Sequence, residues 1–256
     1  MEFSVNIVAI VQARMSSSRL PGKVLLPLVE KPVLGHIVER LAHSQLVGKT
    51  IVATSIESTD DPVAQFCADN KIHCFRGSLD DVLDRYYQAS KSMSADVIVR
   101  ITGDCPAIDP VVLDSVIAGY LAGSYDLYGL AGGFPDGLDC TVFSFSAIEK
   151  AWNDASLKSE REHVGPYIEN NPNLFKTGGL HLFHGLEKQR WTLDEPRDYE
   201  LLTEIFKELY RPGVPFYTHN ILQLLEKKPE LLIFNEGIIR NAGYIESLKE
   251  DEKKRD

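Results

Sequence analysis

Four short apolar runs, VNIVAIV (5–11), TIVATS (50–55), IHCF (72–75) and DVIVRIT (96–102), recur at regular intervals, each rich in β-branched side chains and bounded by polar turns. Continuous apolar runs of this length are strands buried on both faces, which a parallel sheet covered by helices demands. Between them PVLGHIVERLAHS (32–44), DPVAQFCADN (61–70) and SLDDVLDRYYQASKS (78–92) carry apolar residues at helical spacing, with Pro32, Asp60 and Ser78 near their starts. Strand and helix in strict alternation predict βαβ winding and an α/β fold. The alternation loosens after DPVVLDSVIAGYLAG (109–123). The segment DLYGLAGGFPDGLDC (126–140) reads as a long Gly- and Pro-rich loop able to close over a site, leading into a strand at CTVFSF. Beyond it the pattern predicts helices near 145–155, 160–170 and 196–210, a strand pair around KTGGLHL and QRWTL, and a helical end at 219–227. With no internal repeat and no sharp boundary, one domain over 1–248 is expected. The charged tail at 249–256 reads as solvated and frayed.

The formal net charge is −10, which argues against a nucleic-acid partner, since that needs basic residues massed on one face. A local cluster of cations is therefore informative, and VQARMSSSRLPGKVLLP (11–27) provides one directly after the first strand. Ligands of a parallel α/β sheet sit outside the carboxyl ends of its strands, so this loop faces the expected pocket. Arg14 and Arg19 offer forked donors, Lys23 a compact charge, Ser17 a hydroxyl, and Gly22 close backbone approach, which together are the parts of a polyphosphate cradle. Neither G-x-x-x-x-G-K-[ST] nor G-x-G-x-x-G is present, which disfavours a P-loop NTPase and a dinucleotide-binding domain. The competing interpretation is a solubilised surface loop. The four cysteines, Cys67, Cys74, Cys105 and Cys140, show no C-x-x-C spacing. No basic segment leads into an apolar signal core, and no apolar run reaches the ~20 residues that span a bilayer. A cytoplasmic location without a membrane partner is expected.

The segment ARMSSSRLPGKVL resembles the A-R-x-x-S-x-R-L-P-G-K signature of nucleotidyltransferases that make CMP-sugars, including CMP-Kdo and CMP-sialate synthetases. GSLDDVLDRYYQA, VRITGDCPAIDP, EREHVGPYI and RWTLDEPRDYELL narrow the resemblance to the SpsF branch, named for spore coat polysaccharide synthesis, over most of the chain. It implies a Rossmann-like nucleotidyltransferase fold of three α/β/α layers on a mixed, mainly parallel sheet. It further implies a Mg²⁺-dependent cytidylyltransferase that moves CMP from CTP to an acidic sugar or phosphorylated small molecule, releasing pyrophosphate, and a homodimer. Arg14, Ser17, Arg19, Gly22, Lys23, Arg85 and Asp104 would hold the nucleotide, with Arg14, Lys23 and Asp104 catalytic. Alternatives are a nucleotidyltransferase using another NTP and a catalytically silent nucleotide-binding module.

Attack on the α-phosphorus of a bound triphosphate needs a divalent ion to neutralise the developing charge, and Mg²⁺ asks for one or two carboxylates. Asp104 follows the strand VIVRITG and Asp194 follows RWTL, so both are placed to meet at the carboxyl edge. The resemblance implies the same pair as metal ligands. By position alone each is as readily a turn or helix cap, and Asp198 reads as a helix-surface residue or local cap. In FPDGLDCTVFS the family pattern is G-L-D-V-E-V-F-S, so Cys140 and Thr141 stand where Val and Glu are usual. Asp139 is an acceptor-site candidate, weighed equally against a turn role. Arg161 and His163 of EREHV are implied to touch the acceptor, while Lys188 and Arg190 are further cationic clamps for an anionic one. His181 and His184 lie in a strand-like context that does not suit zinc. Arg85 and Arg100 either assist the nucleotide or pair with Asp81, Asp84 or Asp96.

Overall fold

The four apolar runs lie side by side within a seven-stranded sheet of order β5-β4-β1-β6-β8-β7-β9. The computed structural model describes residues 5–253. In chain order β1 (Ile7–Gln12) leads through the basic loop and a small hairpin, β2 (Pro27–Leu28) and β3 (Lys31–Pro32), into α1 (Val33–Leu41). Then follow β4 (Lys49–Ser55), α2 (Asp61–Asp69), β5 (His73–Gly77), α3 (Val82–Ser92), β6 (Val97–Thr102) and α4 (Pro110–Gly123). The second half comprises β7 (Leu127–Gly132), β8 (Thr141–Ser144), α5 (Phe145–Asp154), α6 (Lys158–His163), α7 (Pro166–Glu169) and β9 (Thr177–Phe183). It ends in α8 (Pro196–Leu209), α9 (Thr218–Lys227) and α10 (Ala242–Lys253).

β5, β4, β1 and β6 are mutually parallel, β8 runs antiparallel between β6 and β7, and β9 returns parallel to β7. This is the expected mixed, mainly parallel sheet with helices on both sides. Alternation along the strands divides two cores: Ile7, Ala9 and Val11 pack with α1, α4, α8 and α9, whereas Val8 and Ile10 pack with α3 and α5. Ile98 belongs to the second face and Val97, Val99 and Ile101 to the first.

Four readings of the later sequence are corrected. The Gly- and Pro-rich stretch at 126–140 is not all loop, because its first half forms β7, whose glycines weaken the apolar pattern although Leu127 and Tyr128 are buried. QRWTL is no strand partner of β9. Its apolar signal comes from Trp191 and Leu193, both fully buried, but its backbone pairs with no strand and meets loops, through Asp136 N to Gln189 O (2.9 Å), Trp191 N to Asp136 O (2.6 Å) and Leu193 N to Asp104 O (2.8 Å). The helix expected over 160–170 is two, α6 and α7, broken at Val164, whose φ of 70° lies in the left-handed region. Finally, the charged tail is helical through Lys253, and Asp251 is buried, accepting from the backbone of Lys158 (2.9 Å) and Ser159 (3.2 Å). The remainder of that tail, 254–256, lies outside the described residues.

Candidate active site

The basic loop is held in shape at both ends. Gly22 adopts φ 72°, its N–H donates to Met15 O (2.8 Å), and an added Cβ would stand 3.2 Å from Met15 Cε. The other anchor is Asp60, whose fully buried carboxylate accepts from Met15 N (2.7 Å) and Ser55 N (3.1 Å). Its side chain caps no helix; it ties the loop to the end of β4. Nothing in the local sequence distinguished this role from helix initiation.

Lys23 is carried by the following 3₁₀ turn, Lys23–Leu25, and its buried ammonium spans two carboxylates: Nζ lies 2.7 Å from Asp104 Oδ2 and 2.8 Å from Asp194 Oδ1. Arg19 Nη2 adds a third cation contact, 2.9 Å from Asp194 Oδ1. Asp104 reaches this point because Gly103 closes on the end of β1. Its N–H donates to Gln12 O (2.8 Å), and a Cβ there would fall 2.7 Å from the same oxygen. Burial works to raise the Asp104 carboxyl, but the Lys23 charge and hydrogen bond, with help from Thr102 and Cys105, hold it down at about 2. Burial likewise opposes the Lys23 ammonium, and Asp104 and Asp194 outweigh it, so its pKa is raised.

Asp194 arrives from the far side of the chain. Leu193 N donates to Asp104 O (2.8 Å), docking the 191–194 segment against the turn after β6. Arg190 then fastens Asp194 Oδ2 (3.0 Å) while its other nitrogens hold Asp136 (2.6 Å) and Asp198 (2.9 Å). With its donors so used and the side chain only 6% exposed, Arg190 is a scaffold residue and not a clamp for an acceptor. Asp198 is not a surface residue: it is fully buried, caps the start of α8 by accepting from Asp194 N and Glu195 N (both 3.0 Å), and receives Asn235 Nδ2 (2.9 Å).

Around these groups opens a cleft of about 500 Å³. Of the residues singled out from sequence, Arg14, Ser17, Arg19, Lys23, Arg85, Asp104, Asp139, His163 and Asp194 all line it. Arg14 faces Glu162 at 3.9 Å. Arg85 is nearly sealed from solvent, donating to the carbonyls of Ser78 (2.7 Å) and Leu79 (3.0 Å), and pairs with none of the carboxylates expected for it. Asp139 accepts from Gly137 N (2.9 Å) within the turn and from Arg240 (3.1 Å), and it borders the cleft. Arg161 is not brought to the cleft; its guanidinium grips Asp81 through both oxygens and donates to Trp152 O (2.7 Å), fixing α6 to α3. His163 packs against Tyr244 and meets Ser247 Oγ (3.0 Å); burial, assisted by Arg100 and Arg14, outweighs Glu162 and pushes it down to about 4.

Sequence reasoning missed Glu162, Glu169 and the 241–244 turn of α10, which complete the far wall of the cleft. Their only local signal was a charged, half-apolar helix pattern, which carries no information on what it packs against.

The residues suit a divalent metal. Asp104 and Asp194 converge on one cation-sized point, and among the described residues no group of three or more His, Cys, Asp or Glu is gathered for an ion. Two hard oxygen donors fit an ion that keeps most of its waters, as Mg²⁺ does, and do not fit a structural zinc site.

A family model described as cytidylyltransferase matches residues 8–232. An uncharacterized protein of Methanocaldococcus jannaschii is 39% identical over 94% of this chain and 99% of its own. The spore coat polysaccharide biosynthesis protein SpsF of Bacillus subtilis is 32% identical over 88% of this chain and 96% of its own. Among solved structures, a cytidylyltransferase from Leptospira borgpetersenii superposes with a TM-score of 0.85 at 33% identity, covering 92% of this chain and all of the other. No helix of the described residues is long and apolar enough to cross a membrane.

Proposed function

The chain belongs to the cytidylyltransferase family, a group of nucleotidyltransferases, and from that premise we propose that it moves CMP from CTP to an acidic sugar or a phosphorylated small molecule in surface polysaccharide synthesis. The observation that carries the reading is the meeting of Lys23 and Arg19 with Asp104 and Asp194 at the carboxyl edge of β1 and β6.

In this reading Arg14, Arg19 and Lys23, with Ser17 and the backbone around Gly22, receive the β- and γ-phosphates of CTP. Lys23 then exchanges a carboxylate contact for phosphate oxygen. Arg85 and Asp60 support the loop and the nucleoside side of the cleft. An oxygen of the acceptor attacks the α-phosphorus, the bond to the bridging oxygen breaks, and pyrophosphate leaves with that electron pair. Asp104 and Asp194 would hold Mg²⁺, which supplies neutralisation of the charge developing on the phosphates. No side-chain nucleophile is required, because the rate comes from alignment and pre-set electrostatics. Asp139 and His163 border the acceptor.

The test is calorimetric titration of the full chain with CTP, UTP, ATP and GTP, each with and without Mg²⁺, followed by a pyrophosphate-release assay against anionic acceptors. CTP-selective binding is expected. Equal binding of all four, or of none, would overturn the base assignment or the nucleotide site respectively. A homodimer is expected from the family resemblance; a light-scattering mass of 28.6 kDa, that of one chain, would refute it.

A further inference from the structure

Arg100 projects from β6 four residues before Asp104; it pairs with none of Asp81, Asp84 and Asp96, and the proposed reaction assigns it no part. Strand alternation puts it on the face of Ile98, and the antiparallel register sets it directly across from Thr141 of β8, with Phe143 next along the same face. All three of Arg100, Thr141 and Phe143 line the cleft. His163 of α6, Gly165 just before α7, Glu169 of α7 and Tyr244 of α10 complete a recess at this end.

Within that recess the Arg100 guanidinium lacks a counter-ion. Its Nε is closed off from solvent with no hydrogen-bond partner, and among the described residues no carboxylate oxygen lies within 4.0 Å of it. The cleft's other arginines are engaged: Arg14 by Glu162, Arg19 by Asp194, Arg85 by two backbone carbonyls. Glu169 is close enough to feel the Arg100 charge, which lowers its carboxyl pKa against the burial that raises it, but it makes no ion pair or hydrogen bond with the guanidinium. Glu162 is committed to Arg14 and to the Ser247 hydroxyl (3.0 Å). A half-buried guanidinium without a partner bears an uncompensated desolvation cost, which an entering oxyanion would offset through two parallel hydrogen bonds.

The apolar anchor of the basic loop, Val24, belongs to the opposite face of the sheet, whereas Arg100 lies between β6 and β8; of the loop's cations Arg14 reaches the α6 wall, where Glu162 engages it. Four residues of extended chain span at most about 14 Å. One substituted sugar ring, together with the reach of the arginine, therefore bridges from Arg100 to the Asp104 edge.

We propose that Arg100 is the residue by which this cleft selects its acceptor, binding a carboxylate or phosphate carried at a position remote from the attacking oxygen. This rests on the cytidylyl-transfer reading and specifies its acceptor side. The shared chemistry is an oxyanion, and the experiment separates its two sources.

Glucuronate, glucose 1-phosphate and glucose are titrated calorimetrically into the full chain, with and without CTP and in the absence of divalent metal. At least one of the two anions is expected to bind about 10- to 100-fold more tightly than glucose, the range of a charge-assisted hydrogen-bond pair. Which anion wins identifies the source. Arg100→Gln should close that gap, and Thr141→Glu, which sets a carboxylate across the strand pair from Arg100, should close it too. Arg100→Lys should keep part of it, a rescue that a purely structural role would not give. CTP affinity should stay within about twofold in all three, since none touches the basic loop. Glucose binding as tightly as both anions, or a gap that survives in both Arg100→Gln and Thr141→Glu, would overturn the proposal. If Arg100→Gln fails to fold, Thr141→Glu decides. Failure of the unaltered chain to bind CTP would instead overturn the proposed reaction, and the titrations without nucleotide would still report on Arg100.

Discussion

Removing the ammonium of Lys23 leaves Asp104 and Asp194 facing one another, with Arg19 and Arg190 holding only the second. Lys23→Ala should therefore weaken CTP binding by about 10- to 100-fold, the loss of one charge-assisted contact plus the repulsion it had masked. Asp104 behaves differently. With its carboxyl held at about 2 it stays ionised at any working pH, too weak a base to take a proton from an acceptor hydroxyl, so its part is electrostatic. Asp104→Asn should abolish pyrophosphate release while changing CTP affinity less than Lys23→Ala does. Undiminished turnover of Asp104→Asn in the presence of Mg²⁺ would refute a metal role for this residue.

Two element pairings set the shape of the cleft. The β1–β6 pair brings the basic loop to Asp104, and the absence of a side chain at Gly103 lets the two strand ends close. The α6–α10 pair builds the opposite wall, with α6 presenting Glu162 and His163 and α10 presenting Tyr244. Here Asp251 supplies the backbone N–H groups at the start of α6 with an acceptor that Leu157, occupying the cap position, cannot provide. The exposed Lys158–Glu250 contact beside it adds little. Asp251→Asn, which keeps the shape and removes the charge, should cost about 1 kcal/mol and lower the melting temperature by roughly 2–4 °C. Differential scanning calorimetry would show it, and CTP affinity should be unaltered because the basic loop is untouched. A melting temperature equal to that of the unaltered chain would mean that α6 is held by its packing alone.

At the scale of the molecule, stability should depend on pH through the same wall. His163 is held at about 4 against an ordinary 6.5, chiefly by burial. Its neutral form is thus favoured by folding: the contribution is complete above pH 6.5 and is lost as pH falls from there through about 4, where the unfolded chain takes up a proton that the folded one refuses. The urea midpoint should fall between pH 7 and pH 5, and His163→Gln should flatten that slope; equal slopes would place the pH dependence elsewhere. The strands β1, β4 and β6 were legible because burial on both faces prints a continuous apolar run, the edge strand β5 by its place in the alternation although His73 and Cys74 are exposed, and the basic loop because its cations stand out in an acidic chain. β7 was not, since its glycines dilute the signal, and 189–193 misled, since Trp191 and Leu193 are buried as deeply as strand residues while their backbone meets a loop. Local pattern reports whether a side chain is buried and with what period; it does not report the partner. The amino-acid sequence by itself determined the α/β winding, the family and the residue types of the cleft. Only the tertiary structure decided that Lys23 bridges Asp104 and Asp194, 81 and 171 residues away, that Arg161 and Arg190 are spent on Asp81 and on Asp136, Asp194 and Asp198, and that Arg100 is left without a carboxylate. Hydrogen bonds and ion pairs act over about 3 Å, and which groups come that close is set by how distant strands and helices pack, a property of the whole chain and of no segment within it.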